Sequence, residues 1–199
     1  MNQPQPDIRQ AFTKTTLLRS RDLFRSGFSR MQIRQALAIG QIERAGRGLY
    51  LLPQGDITEH HTLATVSKRV PQGVFCLLTA LRFHGITTQT PHQVWMAIGP
   101  KTWRPSIDQI ELSIVRFSGS ALTEGVVTHE IEGVPVRIYS AAKTVADCFK
   151  FRRRVGLDVA LDALREAWRS RRVTMDELNR FARINRVALV MRPYLESLT

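Results

Sequence analysis

Apolar side chains recur every three or four residues in three short stretches near the beginning of the chain, a spacing typical of amphipathic helices. The stretches cover residues 8–18, 20–27 and 29–40. Two short β-like runs follow, residues 41–45 and 49–53, and a Gly-Arg-Gly turn joins them. Only the dipeptide "GF" separates the second helical pattern from the third, which is the spacing of a helix-turn-helix. Three helices followed by a hairpin predict a winged helix.

The rest of the chain combines strand-like and helix-like patterns. Helices are predicted near residues 58–70 and 75–84 and from about Ser140 to the C-terminus. Strands are predicted at residues 93–99, 109–117, 126–132 and 134–140, with a hairpin turn in "EGVPV".

Pro and Gly in "LPQGD", Leu52 to Asp56, interrupt the strand pattern before the next helical period begins. We therefore place a domain boundary between residues 53 and 54. The sequence predicts an α+β protein with a winged helix-turn-helix domain, residues 1–53. A mixed α/β domain, residues 54–199, is expected to follow, with helices flanking a small sheet.

The third helical stretch predicts a surface suited to base recognition. On a helix of 3.6 residues per turn, one side holds Ile33, Ala36, Leu37 and Gly40. The opposite face, which is basic and rich in amides near its N-terminus, holds Met31, Arg34, Gln35 and Ala38. Arg can pair with guanine and Gln with adenine through two hydrogen bonds each, and the first turns of a recognition helix reach the base edges. The hairpin adds Arg44 and, at its tip, Arg47, placed to meet a phosphate or the minor groove. The predicted DNA-binding residues are Ser29, Arg30, Gln32, Arg34, Gln35, Arg44 and Arg47. The alternative is a charged face that solvent simply covers.

The charge balance favours a polyanionic partner. The chain has 29 Lys+Arg and 17 Asp+Glu, a net charge of +12. Residues 1–53 hold nine of these cations and three of the acids, so the basicity per residue is highest there. Two later basic runs, residues 151–154 and 169–172, are expected at helix ends, where cations offset exposed carbonyl groups, or alternatively as a second anion-binding surface.

No long apolar run and no signal-peptide pattern is present, so we expect a cytoplasmic protein without a membrane partner. Cys76 and Cys148 each lie in an apolar helical pattern and are expected as buried thiols.

Catalysis is not indicated by the sequence. A restriction-type nuclease, the enzymatic alternative for a basic two-domain protein, needs an acidic residue followed by a Glu-x-Lys pair to hold Mg²⁺ and position water. Glu111 is followed two places later by Ser113, and Glu130 by Glu132, so the lysine is missing. Glycine-rich phosphate loops, nucleophile elbows and metal-ligand spacings are also missing from the sequence. We therefore expect no catalytic residues, no metal and no cofactor.

The stretch "SRDLFRSGFSRMQIRQALAIGQIERAGRGLYLLP" resembles the N-terminal winged helix of AbiEi-type antitoxins. The likeness continues through "CLLTALRFHGIT", "VWMAIG" and "VPVRIYSAAKTVADCFKFRRRVGLDVALDALREAW" and so covers nearly the whole chain. Ser29 and Arg30 match the family's helix start, and Gly46 to Gly48 match its glycine turn. Met31 and Gln32 are positions where relatives are expected to differ, as suits different operators.

The resemblance implies a protein with two activities. The N-terminal domain would bind double-stranded operator DNA and repress its own operon. The C-terminal domain would oppose a separately encoded nucleotidyltransferase-like toxin without a stable complex with it, an arrangement called a type IV toxin–antitoxin system. The residues alone leave another interpretation open, a winged-helix transcriptional regulator whose second domain binds a ligand or partner, with no toxin.

Lys143 and Asp147 are spaced one helical turn apart in a helix that Ser140 is expected to cap. The spacing predicts a surface ion pair. The resemblance adds the alternative that these two residues belong to an antitoxin surface.

Overall fold

A computed structural model of the chain describes residues 7–53, 58–89 and 91–198. The chain forms two compact units, Met1–Pro71 with His129–Val136, and Gln72–Thr128 with Arg137–Thr199. Helices and two sheets confirm the α+β class. The predicted domain boundary lies between residues 53 and 54. It borders residues 54–57, which lie outside the described residues, so the boundary stays a prediction.

The first unit contains a small antiparallel sheet and short helices. Its elements are a 3₁₀ helix Ile8–Phe12, β1 Leu17–Arg19, α1 Ser20–Arg25, α2 Arg30–Ala38, β2 Glu43–Gly46, β3 Leu49–Leu51 and α3 His61–Arg69. The sheet order is β1-β3-β2, with Leu17 opposite Leu51. The second and third predicted helices and the hairpin are confirmed. The first predicted helix is wrong beyond its start, because residues 17–19 pair with β3 instead of continuing the helix.

A compact apolar core holds α1 and α2 on this sheet. Leu23 of α1, Ile33 of α2 and Tyr50 of β3 are all buried in it. Phe28 is also buried, and its N–H donates to Leu23 O at 3.1 Å across the turn between the two helices. Phe28 therefore anchors the turn between the two helices in this core.

The second unit combines a mixed sheet with a set of helices. Its elements are β4 Val74–Phe75, α4 Leu77–Phe83, β5 Val94–Ile98, β6 Leu112–Arg116, α5 Ser120–Thr123, β7 Val126–Ile131, β8 Val134–Tyr139, α6 Ala141–Lys150, α7 Arg152–Val155, α8 Leu157–Arg169, α9 Met175–Ile184 and α10 Ala188–Glu196. The strand order is β6-β5-β4-β8-β7, and β5 runs parallel to β6. The four predicted strands are confirmed as β5 to β8, whereas the helix predicted from residue 75 begins at Leu77 because β4 precedes it.

Helix α6 lies at the centre of the second unit. Its residues 142–149 are all buried, and α4, α8 and α9 pack around it. A helix that is covered on every side needs apolar residues on nearly every face. Cys148 lies on this helix, and both Cys148 and Cys76 are buried free thiols, as expected.

The turn between β7 and β8 belongs to the first unit together with the adjoining ends of both strands, His129–Val136, while the rest of each strand belongs to the second unit. Glu132 and Gly133 form it with φ angles of 53° and 68°, the left-handed pair that a tight hairpin turn requires. A Cβ at position 133 would lie 1.9 Å from the backbone oxygen of Lys14, so glycine is needed there for space as well as for conformation. The hairpin turn predicted from "EGVPV" is therefore confirmed.

Within the described residues, no helix is long and apolar enough to cross a membrane.

Candidate nucleic-acid interface

The start of α2 is fixed by a reciprocal capping box. Ser29 Oγ accepts a hydrogen bond from the Gln32 N–H at 3.3 Å, and Gln32 Oε1 accepts one from the Ser29 N–H at 2.8 Å. Ser29 is the N-cap, and Arg30 is the first residue of the helix, with an exposed side chain. Two of the predicted DNA-binding residues, Ser29 and Gln32, thus use their side chains to orient the helix start.

The two faces of α2 lie as the periodicity predicts. Ile33 and Ala36 are buried in the core of the first unit, whereas Arg34 and Gln35 are exposed. Gly40 departs from the prediction because it follows the end of the helix and is exposed. The face that carries Arg34 and Gln35 is therefore accessible to a ligand.

The hairpin presents a second basic element. Arg47 is exposed between Gly46 and Gly48, and the φ of +64° at Gly48 is a left-handed conformation that favours glycine. The β2–β3 pairing shifts register between Arg44 and Gly46, which is the geometry of a β-bulge. Arg44 is exposed on β2, opposite Tyr50 of β3. The order of the elements and their exposure give a wing with two accessible arginines.

Lys143 and Asp147 are not on a surface, so the predicted exposed ion pair is wrong. Both side chains have 0% exposure, and Lys143 Nζ donates to Asp147 Oδ1 inside the second unit. The ammonium also lies 4.4 Å from the ring centre of Phe117 and 4.2 Å from that of Tyr139. Asn185 Nδ2 donates to the same carboxylate oxygen at 2.6 Å.

Burial determines the protonation behaviour of this pair. It raises the pKa of Asp147 and lowers the pKa of Lys143, and the attraction between the two charges opposes both shifts. The i, i+4 spacing is the same for an exposed and a buried pair, so it could not reveal the location. A role of these residues in antitoxin activity stays a prediction.

Among the described residues, no group of three or more His, Cys, Asp and Glu side chains is arranged to hold a metal ion.

Comparison with known proteins addresses the first unit most directly. Residues 11–53 match the model of a protein family described as "Transcriptional regulator, AbiEi antitoxin". This match confirms the resemblance for the N-terminal segment and spans the helix-turn-helix and the wing. Comparison with curated proteins found no match.

Among solved structures, the fold is similar to that in the "Crystal structure of RV2827C protein from Mycobacterium tuberculosis", with a TM-score of 0.61 and 14% sequence identity. The similarity covers 88% of the present chain and 69% of that chain. The two chains therefore share a fold.

Proposed function

We propose that this protein is a transcriptional autorepressor that binds double-stranded operator DNA and is also the antitoxin of a type IV toxin–antitoxin system. The exposed Arg34 and Gln35 on α2 carry the first part of this proposal. They lie in a helix-turn-helix followed by a wing, within a segment that matches a family of transcriptional regulators. The net charge of +12 fits a polyanionic ligand.

The two basic elements would divide the work of recognition. Arg34 would donate two hydrogen bonds to a guanine edge in the major groove, while Gln35 would pair with adenine. Arg47 at the wing tip would contact phosphate or enter the minor groove and so set the position of the protein on the duplex.

The antitoxin role is supported by the resemblance of the second domain to AbiEi-type antitoxins. In such a system the toxin is a nucleotidyltransferase-like protein, and the antitoxin opposes it without a stable complex. A nucleotidyltransferase encoded in the adjacent reading frame is therefore expected.

A second candidate is a regulator whose second domain binds a small ligand. A groove of about 530 Å³ in the second unit favours this alternative, because its size is that of a ligand pocket. Residues of α8 and of the loop after α4 line it. An adjacent gene that encodes no nucleotidyltransferase would support the ligand-binding regulator over the antitoxin.

Arg34→Ala and Arg47→Ala test the DNA-binding proposal. Arg34→Ala is expected to reduce discrimination between the protein's own promoter and a scrambled duplex by about 1–3 kcal/mol, because a bidentate base contact is lost. Arg47→Ala should weaken binding to both duplexes equally if this side chain contacts phosphate. Fluorescence anisotropy with both duplexes over a salt series measures each effect, and the wild-type log–log slope should be about −0.9 per neutralised phosphate.

The matched control is Arg82→Ala, which removes an exposed arginine from α4 of the second unit. It should leave discrimination unchanged. A wild-type slope near zero would contradict the electrostatic argument, and equal losses on both duplexes from Arg34→Ala would show that Arg34 is not a base contact.

A further inference from the structure

The wing turn is flanked by residues from two elements outside the hairpin. The Ser20 N–H, at the start of α1, donates to Gly48 O at 3.0 Å. On the other glycine, a Cβ at Gly46 would lie 2.8 Å from Arg69 Nη2, so the guanidinium group at the end of α3 lies directly against the wing. The start of α1 and the end of α3 therefore meet at the turn that carries Arg47.

Four cations are grouped at this place, and we call them the wing-base cluster. The cluster consists of Arg19, Arg21, Lys68 and Arg69, which are close enough for their charges to interact. Asp22 faces it, with one oxygen 3.6 Å from Arg21 Nε and the other accepting the backbone N–H of Arg19 at 3.0 Å. Asp22 supplies one negative charge against four positive charges, so the cluster stays strongly positive.

The guanidinium groups of the cluster are incompletely satisfied. Over the described part of the chain, Arg19 Nε, Arg19 Nη2 and Arg69 Nε are shielded from solvent and have no hydrogen-bond partner. Buried donors in native proteins normally have a partner, so these guanidinium groups would gain hydrogen bonds if they turned outward to a phosphate. Guanidinium donors match the oxygens of phosphate in pairs.

The cations of the cluster also lower one another's pKa values. Burial lowers the pKa of Arg19, and the positive charges of Arg21 and Arg69 lower it further. The negative charge of Asp22 has the opposite effect. Burial likewise lowers the pKa of Lys68, where Asp22 opposes the effect and Arg19 and Arg21 add to it. A bound polyanion would relieve this repulsion.

We propose that the wing-base cluster binds the phosphate backbone of the same DNA duplex that α2 and the wing contact. The inference rests on the proposed DNA-binding function and deepens it. Arg47 lies between Gly46, which the Arg69 guanidinium approaches, and Gly48, whose carbonyl oxygen accepts from the Ser20 N–H, so Arg47 and the cluster meet at the same turn. Lys68 and Arg69 follow the predicted boundary after residue 53, and the DNA-binding unit thus extends through α3. The first segment of the first unit, Met1–Pro71, likewise includes α3.

The sequence carried a partial signal for these residues. The sequence predicts a helix near residues 58–70, and Lys68 and Arg69 lie in the last turn of the observed α3. Their proximity to the wing depends on how α3 packs against β1, which is a contact between distant parts of the chain.

The test is the double variant Lys68→Gln/Arg69→Gln, measured by anisotropy with the promoter duplex over a KCl series. We expect the log–log slope to fall by about 0.9 for each lost phosphate contact, or about 1.8 for both. The ratio of affinities for promoter and scrambled duplex should stay the same, since phosphate contacts carry no direct sequence information. Arg82→Gln/Arg183→Gln, two exposed positions in the second unit, gives the same change of net charge as a control.

A slope and affinity equal to those of the control would overturn the inference while leaving the proposed function intact, provided that Arg34→Ala still loses discrimination. A wild-type protein without salt-dependent binding would instead remove the proposed function. Arg21→Gln serves as a second test variant if circular dichroism shows that the double variant is unfolded. The Arg21 side chain is 59% exposed, so its replacement disturbs the fold little. This variant should reduce the slope by about 0.9, and an unchanged slope counts against the cluster.

Inorganic phosphate distinguishes a duplex from a free anion as the ligand. At equal ionic strength it should weaken DNA binding no more than chloride does. A larger loss that disappears in Lys68→Gln/Arg69→Gln would show a site for free phosphate and overturn the proposal.

Discussion

Lys143 and Asp147 show how one residue spacing can serve two environments. On a solvent-exposed helix, an ion pair at i, i+4 contributes a few tenths of a kcal/mol to the stability of the helix. Here both side chains are fully buried. The Lys143 ammonium lies near the rings of Phe117 and Tyr139, and the Asp147 carboxylate accepts a hydrogen bond from Asn185. Removing one member of a buried pair leaves an uncompensated charge, which costs far more than an exposed pair contributes.

Lys143→Met should therefore lower the free energy of unfolding by about 3–5 kcal/mol at neutral pH. Since burial already raises the pKa of Asp147, its carboxyl group in the variant should take up a proton as the pH falls. The folded state then binds more protons than the unfolded state, so the deficit should shrink towards acidic pH. Urea unfolding of wild type and variant at several pH values measures the difference in unfolding free energy.

The double variant Lys143→Met/Asp147→Leu should recover part of the stability, because no buried charge is left, although Asn185 Nδ2 loses its acceptor. Arg165→Met is the matched control, since Arg165 pairs with Asp162 at i, i+3 on the surface and exposed pairs contribute about 0–1 kcal/mol. A loss from Lys143→Met as small as that of the control would contradict the argument.

At the scale of elements, the success of sequence-based prediction follows the range of the interactions that form each element. Helix α2 and the β2–β3 hairpin depend on local capping, periodicity and glycine, and the pattern predicts both. Strands β1 and β4 are three and two residues long, and their partners lie far along the chain. Local pattern cannot reveal that Leu17 pairs with Leu51 or Phe75 with Ile138.

The same distinction applies to the candidate interface. The exposed face with Arg34 and Gln35 follows from helical periodicity alone, so the sequence predicts it. The wing-base cluster requires the packing of α3, which periodicity does not determine.

Glu132 connects three segments of the first unit. Its side chain is 1% exposed and accepts hydrogen bonds from the Thr58 N–H at 2.8 Å and from the Thr16 hydroxyl at 3.1 Å, and it lies 2.8 Å from His61 Nδ1. Burial opposes the charged form, but the hydrogen bonds from Thr58 and His61 outweigh it and keep the pKa of Glu132 below its ordinary value. The carboxylate thus fixes the start of α3 to the β7–β8 turn.

Glu132→Gln should destabilise the protein at neutral pH and less at low pH. A carboxyl group with a depressed folded-state pKa contributes its full stability above the unfolded-state value of about 4.3, and the contribution is lost as the pH falls through the folded-state value. The gap in unfolding free energy between wild type and variant should therefore narrow below about pH 4. Urea unfolding at pH values on both sides of this range checks it.

Glu130→Gln, an exposed position on β7, provides the control and should show little change at any pH. An equal gap for Glu132→Gln at neutral and acidic pH would mean that the carboxylate charge is not what stabilises this contact.

At the scale of the whole molecule, the division of the chain into two units affects how its two proposed functions can be separated. A fragment from Gln54 to Thr199 would be the direct choice if the predicted boundary alone were considered. However, α3 has buried residues such as Leu63 and Val66 and packs against β1, which this fragment lacks. Glu132 would also lose Thr16. Truncation therefore combines loss of DNA contacts with loss of packing.

Substitutions in the full chain avoid that problem. Arg34→Ala/Arg47→Ala should abolish repression of the protein's own promoter while protection against the toxin persists, because both side chains are exposed in the first unit and the core contacts of both units stay intact. A promoter reporter measures repression, and growth during co-expression of the adjacent nucleotidyltransferase measures protection. Arg82→Ala should retain both functions, and circular dichroism establishes that each variant is folded.

Normal repression by the folded double variant would refute the assignment of operator contacts to α2 and the wing. Loss of protection in the same variant would mean that antitoxicity depends on the DNA-binding residues, so the two functions would not be separable.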